Sequence, residues 1–557
     1  MAVFWRRNVV FAAVVLAVAS VLAAAGFARQ PSAQPASGPP ACSAGTAVRT
    51  AGGQVCGLTS GGQTSYLDIP YAAPPVGALR WQPPQPAKPW TSTYQATKLA
   101  PQCLAPGFPA GTVQAGSSEN CLYLEVHKPA GARPGEKLPV MFEIHGGGFL
   151  GTALTDDGAN LVSSGPAIYV FASYRLGIFG FLADQALGAH SGDYGLQDQQ
   201  AALRWVQANI AGFGGDPHNV TIFGESAGGA SVCDQVASPT AKGLFQRGIS
   251  VSGFYNYDVN TIWWQADCKS SLLTESQAQR FGASFAAKVG CGNVASVAAC
   301  LRAVPASTLA EKGGQFVDPS AGGDIGPIVN GTTLPMSAAQ AFKLGRVNNV
   351  QLMIGVGRDE FNGGIYTNQA GTIIANTAAQ YRQLVDQQFG ALAPAVMRLY
   401  PIQRYPSPSP FIAYRTIMAD AFSVCPALAN DAQLSRFIPV YAYEDDDSDS
   451  PGAGAQALGA YHSAINRLVH DAPSTLDANQ AALQTQVLAE WTGYARDGQP
   501  TVTGAPAWSP YTTRSPLVMS LQPGGDSALV PAGTLMAEHN CGFWDAVNKT
   551  APWAASA

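Results

Sequence analysis

Two glycine-rich stretches carry residue types that could do chemistry together. The segment "GESAGG" (224–229) presents Ser226 inside the pattern Gly-x-Ser-x-Gly, that of a nucleophile elbow. A serine hydroxyl attacks a carbonyl effectively only if a base takes its proton, and that base needs an acid to fix its tautomer. In such a site the chain order is serine, acid, histidine. Three histidines follow Ser226: His462, His470 and His539. His462, in "LGAYHSAI", belongs to a glycine-containing loop after a predicted strand, where a base would stand. His470 falls in a predicted helix, and His539 adjoins Cys541 near the C-terminus. The acid should end a strand between serine and histidine, and "IGVGRDEFNGG" (354–364) places Asp359 and Glu360 there. Upstream, "EIHGGGF" (143–149) offers three consecutive glycines whose backbone amides could face an oxyanion.

Positioning these residues requires strands that end in loops and a helix behind the serine. Buried strands are predicted at 138–149, leading into the triple glycine, and at 167–174, 219–223, 247–253, 350–357 and 438–444. A helix is predicted over 195–210, with Leu196, Leu203, Val206 and Ile210 close to one face, and another after Ser226. This alternation predicts an α/β protein with a large, mostly parallel central sheet and helices on both faces. No internal repeat and no linker divides the chain between 45 and 545. The acidic run "EDDDSDS" (444–450) reads as a solvated loop rather than a calcium site.

Composition bounds the rest. The 557 residues are 47% hydrophobic and 12% charged with a formal charge of −5, which predicts a large core and argues against a nucleic-acid partner. No grouping has metal-ligand spacing, so neither a metal nor another cofactor is expected. Arg6 and Arg7, an apolar run from Val9 to Ala25, and Gly26-Phe27-Ala28 form a signal-peptide pattern over 1–28. The competing reading is an uncleaved anchor. Residues 29–44 read as a disordered spacer, followed by one domain over 45–557. Export to the cell envelope or beyond, without stable membrane insertion after cleavage, is the expectation. Ten cysteines fit an oxidising compartment. Close spacing favours Cys42–Cys56, Cys103–Cys121 and Cys291–Cys300, while Cys233, Cys268, Cys425 and Cys541 could form two more bridges or remain as buried thiols.

Several longer blocks resemble the type B carboxylesterase family, which includes cholinesterases and bacterial para-nitrobenzyl esterases. They are "YLDIPYAAPPVGALRWQPPQP" (66–86), "SENCLYLEVHKP" (118–129), "SYRLGIFGFL" (173–182), the run from Asp193 to Gly229, "GLFQRGISVSG" (243–253) and the terminal "CGFWD" (541–545). The resemblance implies an α/β-hydrolase fold. It assigns Ser226 as nucleophile, Glu360 as acid and His462 as base, with Gly147, Gly148 and Ala227 as oxyanion donors. Ser252 matches a second serine that supports the histidine side, and Arg80–Glu119 a structural ion pair. Cys103–Cys121 and Cys291–Cys300 match family disulfides, and Cys425–Cys541 resembles a third. Cys233–Cys268 would fasten the segment 255–270 to the helix after the nucleophile, where Trp263 and Trp264 would either be core or line the acyl pocket. His145 is expected to shape the glycine loop without moving protons.

The departures also carry meaning. Asn120 and Asp193 replace the usual aspartate and asparagine, and Phe361 stands where glycine is common after the acid. The loop 104–120 contains Phe108 but no tryptophan or tyrosine, which argues against a choline-ester specialist. The implied activity is hydrolysis of small carboxylic esters through an acyl-enzyme by an exported serine esterase. The alternatives are a lipase for longer chains and a catalytically silent binding protein on the same fold.

Overall fold

The computed structural model describes residues 41–107, 112–151, 158–254, 268, 272–314, 325–362, 375–407, 409–448, 450, 458–500 and 502–550. The signal-peptide pattern, most of the spacer, Phe108, Trp263 and Trp264 lie outside the described residues. From Cys42 onward the chain is one compact unit.

Its centre is an eleven-stranded sheet. In chain order the strands are β1 (Leu58–Ser60), β2 (Gln63–Pro70), β3 (Tyr123–Pro129), β4 (Leu138–Glu143), β5 (Ile168–Ala172), β6 (Gly215–Glu225), β7 (Arg247–Val251), β8 (Gln351–Gly357), β9 (Val440–Asp445), β10 (Leu517–Leu521) and β11 (Ala528–Pro531). Across the sheet they run β1-β2-β3-β5-β4-β6-β7-β8-β9-β10-β11. The stretch from β5 to β10 is parallel, and both flanks are antiparallel. The six predicted strands correspond to β4 to β9, whereas β1 to β3 and the two C-terminal strands had no counterpart in the sequence reading.

Both faces of the central strands are buried, which explains their nearly unbroken apolar runs. Successive side chains point to opposite faces. Phe142, Ile222 and Ile354 therefore join the larger core, packed with α1 (Tyr194–Asn209) and α2 (Ala227–Ala237). Their neighbours Met141, Phe223 and Met353 enter a second core on the other face. Further along the chain come α3 (Ser409–Leu434, π-wound over Asp420–Val424), α4 (Ala464–His470), α5 (Ala478–Asp497) and α6 (Cys541–Thr550). Trp491 of α5 and Leu468 of α4 close the second core.

All ten cysteines pair: Cys42–Cys56, Cys103–Cys121, Cys233–Cys268, Cys291–Cys300 and Cys425–Cys541. Arg80 makes a two-pronged ion pair with Glu119, with contacts of 2.6 and 2.7 Å. The acidic run corrects the reading of it as a solvated loop. β9 extends through its first two residues, and Glu444, Asp445 and Asp447 are buried. Glu444 is met by His539 and Asp445 accepts the Asp447 amide (3.3 Å), while the half-buried Asp446 meets Arg358.

Candidate active site

The C-terminal ends of β4, β6, β7 and β8 and the loop before α4 meet at one edge of the sheet. β6 stops at Glu225 and α2 starts at Ala227, so Ser226 alone makes the turn. Its φ of 57° and ψ of −125° place it in the left-handed half of backbone space, a strained setting for a non-glycine residue. Two backbone bonds hold it there: its N–H donates to Val251 O (3.0 Å) and its carbonyl accepts from Ala230 N–H (2.9 Å). Ser226 is half-buried, whereas the flanking residues of β6 and α2 are buried.

Such a turn is possible because the neighbouring chain comes very close. A Cβ on Gly228 would lie 2.0 Å from Ile144 O, so only glycine fits between the elbow and the strand end carrying the triple glycine. The position of a Cβ on Gly146 would be 3.2 Å from Ser226 Cβ, which puts the glycine loop against the nucleophile. Gly147 has φ +106° and Gly148 φ +61°. The amides of Gly147, Gly148 and Ala227 meet no hydrogen-bond acceptor among the described residues. Ala227 opens α2, so its N–H lacks an intrahelical partner in any case, and the helix dipole favours negative charge there. Burial holds the His145 imidazole down at about 4, so the ring is neutral at physiological pH. It stacks on Tyr174 and Phe171 and hydrogen-bonds Gly146 O (2.8 Å), consistent with a shaping role.

Beyond β8 the chain turns through Arg358 and Asp359 to Glu360, which is fully buried. Glu360 Oε1 accepts a short hydrogen bond from His462 Nδ1. Its other oxygen accepts from Ser252 Oγ (3.0 Å) and from the Gly357 amide (2.8 Å). The acid and base loops are also joined through the backbone, since His462 N–H donates to Glu360 O and Asp359 N–H to Ala460 O. Ser252 therefore touches Glu360, the residue that holds His462. Asp359, the other half of the pair, contacts Gly459 of the base loop and makes no contact with His462 among those described.

A second carboxylate completes the histidine's surroundings. Glu225 Oε1 lies 3.0 Å from His462 Nε2, and the same oxygen accepts from Ser463 Oγ (2.6 Å). Burial works against the charged imidazole, but Glu225 and Glu360 together outweigh it and push His462 above its ordinary value. Glu225 is itself pushed up by burial, with a smaller push from Glu360, partly offset by His462 and by hydrogen bonds from Ser463 and Asn466. The sequence reading missed both Glu225 and Ser463. Their signal was adjacency: one precedes Ser226 and the other follows His462.

The remaining histidine candidates belong elsewhere. His470 ends α4 and stands 3.8 Å from Glu143. His539 is buried between Asp420 (2.6 Å) and Glu444 (3.0 Å), which raise it well above its ordinary value against the effect of burial. Phe361 is buried in the larger core. Asp193 is buried with φ 55°, and accepts the Ile328 amide (2.8 Å). Asn120 accepts from Tyr123 OH (3.1 Å). Among the described residues no cluster suited to a metal ion occurs.

Comparison with known proteins agrees with this layout. The family model described as "Carboxylesterase family" matches residues 44–544. The para-nitrobenzyl esterase of Bacillus subtilis (strain 168) is 32% identical over 495 residues, covering 85% of this chain and 94% of the relative. The fumonisin B1 esterase of Sphingopyxis macrogoltabida is 31% identical, covering 84% and 85%. Carboxylesterase 1C of Rattus norvegicus is 30% identical, covering 80% and 83%. The mostly parallel sheet with the serine on the turn after β6 is the family's α/β-hydrolase fold. The chain is a hydrolase of the type B carboxylesterase family.

Proposed function

We propose that this hydrolase is an exported serine esterase that splits small carboxylic esters through an acyl-enzyme on Ser226. The observation that carries the reading is the Glu360–His462 pair, whose histidine lies 3.0 Å from Glu225, the residue before a strained, half-buried serine flanked on two sides by amides that meet no acceptor among the described residues. His462 Nε2 takes the Ser226 hydroxyl proton as the oxygen attacks the ester carbonyl. Negative charge develops on the carbonyl oxygen, and the Gly147, Gly148 and Ala227 amides are pre-aimed donors for it. Glu360 holds Nδ1–H and stabilises the imidazolium. Collapse of the tetrahedral intermediate expels the alcohol, protonated by His462. Water then attacks the acyl-enzyme by the same route and releases the acid. Five disulfides and the apolar N-terminal run support export.

The test is hydrolysis of p-nitrophenyl esters from acetyl to palmitoyl by wild type and Ser226→Ala. Turnover by wild type alone supports the reading. A rate optimum on short acyl chains marks an esterase, whereas activation above the solubility limit of long chains marks a lipase. If folded wild type matches buffer on every ester, the reading fails and a silent binding protein takes its place.

A further inference from the structure

Ser463 stands where a helix-capping residue belongs, at the N-cap of α4, with φ 70° and ψ 5°. A serine there ordinarily accepts a hydrogen bond from an amide in the first turn. This one makes no such cap. Its hydroxyl points the other way and donates to Glu225 Oε1, the oxygen that lies 3.0 Å from His462 Nε2. Residue 463 thus leaves its own helix start uncapped and braces a carboxylate on another element, 238 positions away in sequence.

We infer that Ser463 is a positioning residue for the base: its hydroxyl fixes Glu225 against His462 and so sets the pH at which the imidazole becomes available. The inference rests on the serine-esterase reading above. A hydrogen bond donated to a carboxylate favours its charged form. An ionised Glu225 is a second counter-charge for the imidazolium, beside Glu360. Removing the hydroxyl lets Glu225 move or take up a proton, and His462 then loses its own proton more easily. The other titratable groups around this pair are Tyr443 and Asp445 on β9, which interact with these carboxylates, and Glu490 on α5, which interacts with Tyr443. Burial pushes all three upward. None supplies a positive charge that could replace the imidazolium as partner of Glu225.

The experiment is the pH profile of kcat/KM on p-nitrophenyl acetate for wild type, Ser463→Ala and Ser463→Gly, each also in a Glu225→Gln background. Glycine accepts the positive φ freely, so it guards against a folding failure of the alanine variant. The expected result is an acid limb displaced to lower pH by roughly half to one unit, the scale of one hydrogen bond to a charged group. With Glu225→Gln already present, removing the hydroxyl should move it no further. An unmoved limb, or an equal shift in the Glu225→Gln background, overturns the inference and leaves the esterase reading standing. If wild type hydrolyses no ester, the esterase reading falls, and NMR titration of His462 decides the physical claim. A lower midpoint in Ser463→Ala supports it and an unchanged one overturns it.

Discussion

Two buried histidines in this molecule have nearly the same surroundings. His462 sits between Glu360 and Glu225, and His539 between Asp420 and Glu444. In both, opposite charges outweigh burial and the imidazolium is favoured. The difference lies in what else is present. Next to Glu225, the partner of His462, are a half-buried serine in a strained turn and amides that meet no acceptor among the described residues. Around His539 the neighbours are buried side chains that mostly bond one another: Tyr400 OH donates to Asp420 (2.7 Å) and Trp544 Nε1–H to Tyr400 OH (2.7 Å), under the Cys425–Cys541 bridge, while Glu444 Oε1 meets no donor among the described residues. A histidine held by carboxylates is therefore not a catalytic signature. What sets the first site apart is the strained, half-buried serine that follows Glu225.

Removing each imidazole should separate the two sites. His462→Ala is expected to cut ester turnover roughly 10⁵- to 10⁶-fold, since the nucleophile loses its base. Its thermal midpoint should fall far less than that of the second variant, because Glu360 keeps donors from Ser252 and Gly357 and Glu225 keeps Ser463. Rate and calorimetry on one preparation check both halves. His539→Ala should do the reverse. It leaves two buried carboxylates without their cation, a loss of about 3–5 kcal/mol in unfolding free energy by chemical denaturation, with unchanged kcat per folded molecule. If His539→Ala folds normally and loses activity, the comparison is wrong.

Smaller effects sharpen the contrast. Gly147→Ala forces a side chain onto φ +106° and should displace an oxyanion amide, lowering kcat by about 10²- to 10³-fold with little change in KM. The smallest effects are in pH dependence, and they differ in kind. His462 must be neutral to act, and it is raised, so activity should fall on acidification from a pH above the usual histidine range of about 6.5. His539 is also raised in the folded state. Its stabilisation is complete below the unfolded value of about 6.5 and is lost as pH rises through the higher folded value. Urea melts of wild type should therefore weaken with rising pH more steeply than those of His539→Gln.

What could be read from the sequence was whatever is local. The strand–turn–helix around Ser226 and the strands β4 to β9 announce themselves by apolar runs and glycine punctuation. Glu360 and His462 were legible as candidates because each ends a recognisable segment, and the fold does bring them into contact. The partners of His539 were not, since residues 420, 444 and 539 come together only through packing, and no spacing relates them. The same cause misled the reading of 444–450. A run of carboxylates reads as solvated unless the buried cation is known. Ser463 could not be separated from an ordinary helix cap, because the direction of one hydroxyl is a tertiary fact.

The Cys425–Cys541 bridge closes a ring of chain 116 residues around. That ring holds β9, the loop carrying His462, α4, α5 and the last two strands, whereas Ser226 and Glu360 lie on the tail that enters it. A protease that nicks the chain once inside the ring leaves a single covalent molecule. Both new ends stay tethered, so the histidine loop remains at a high local concentration beside the rest of the site. Under reducing conditions the same nick leaves the distal fragment held only by its packing and strand pairing. Tolerance of a first cut inside the ring is thus set by redox state.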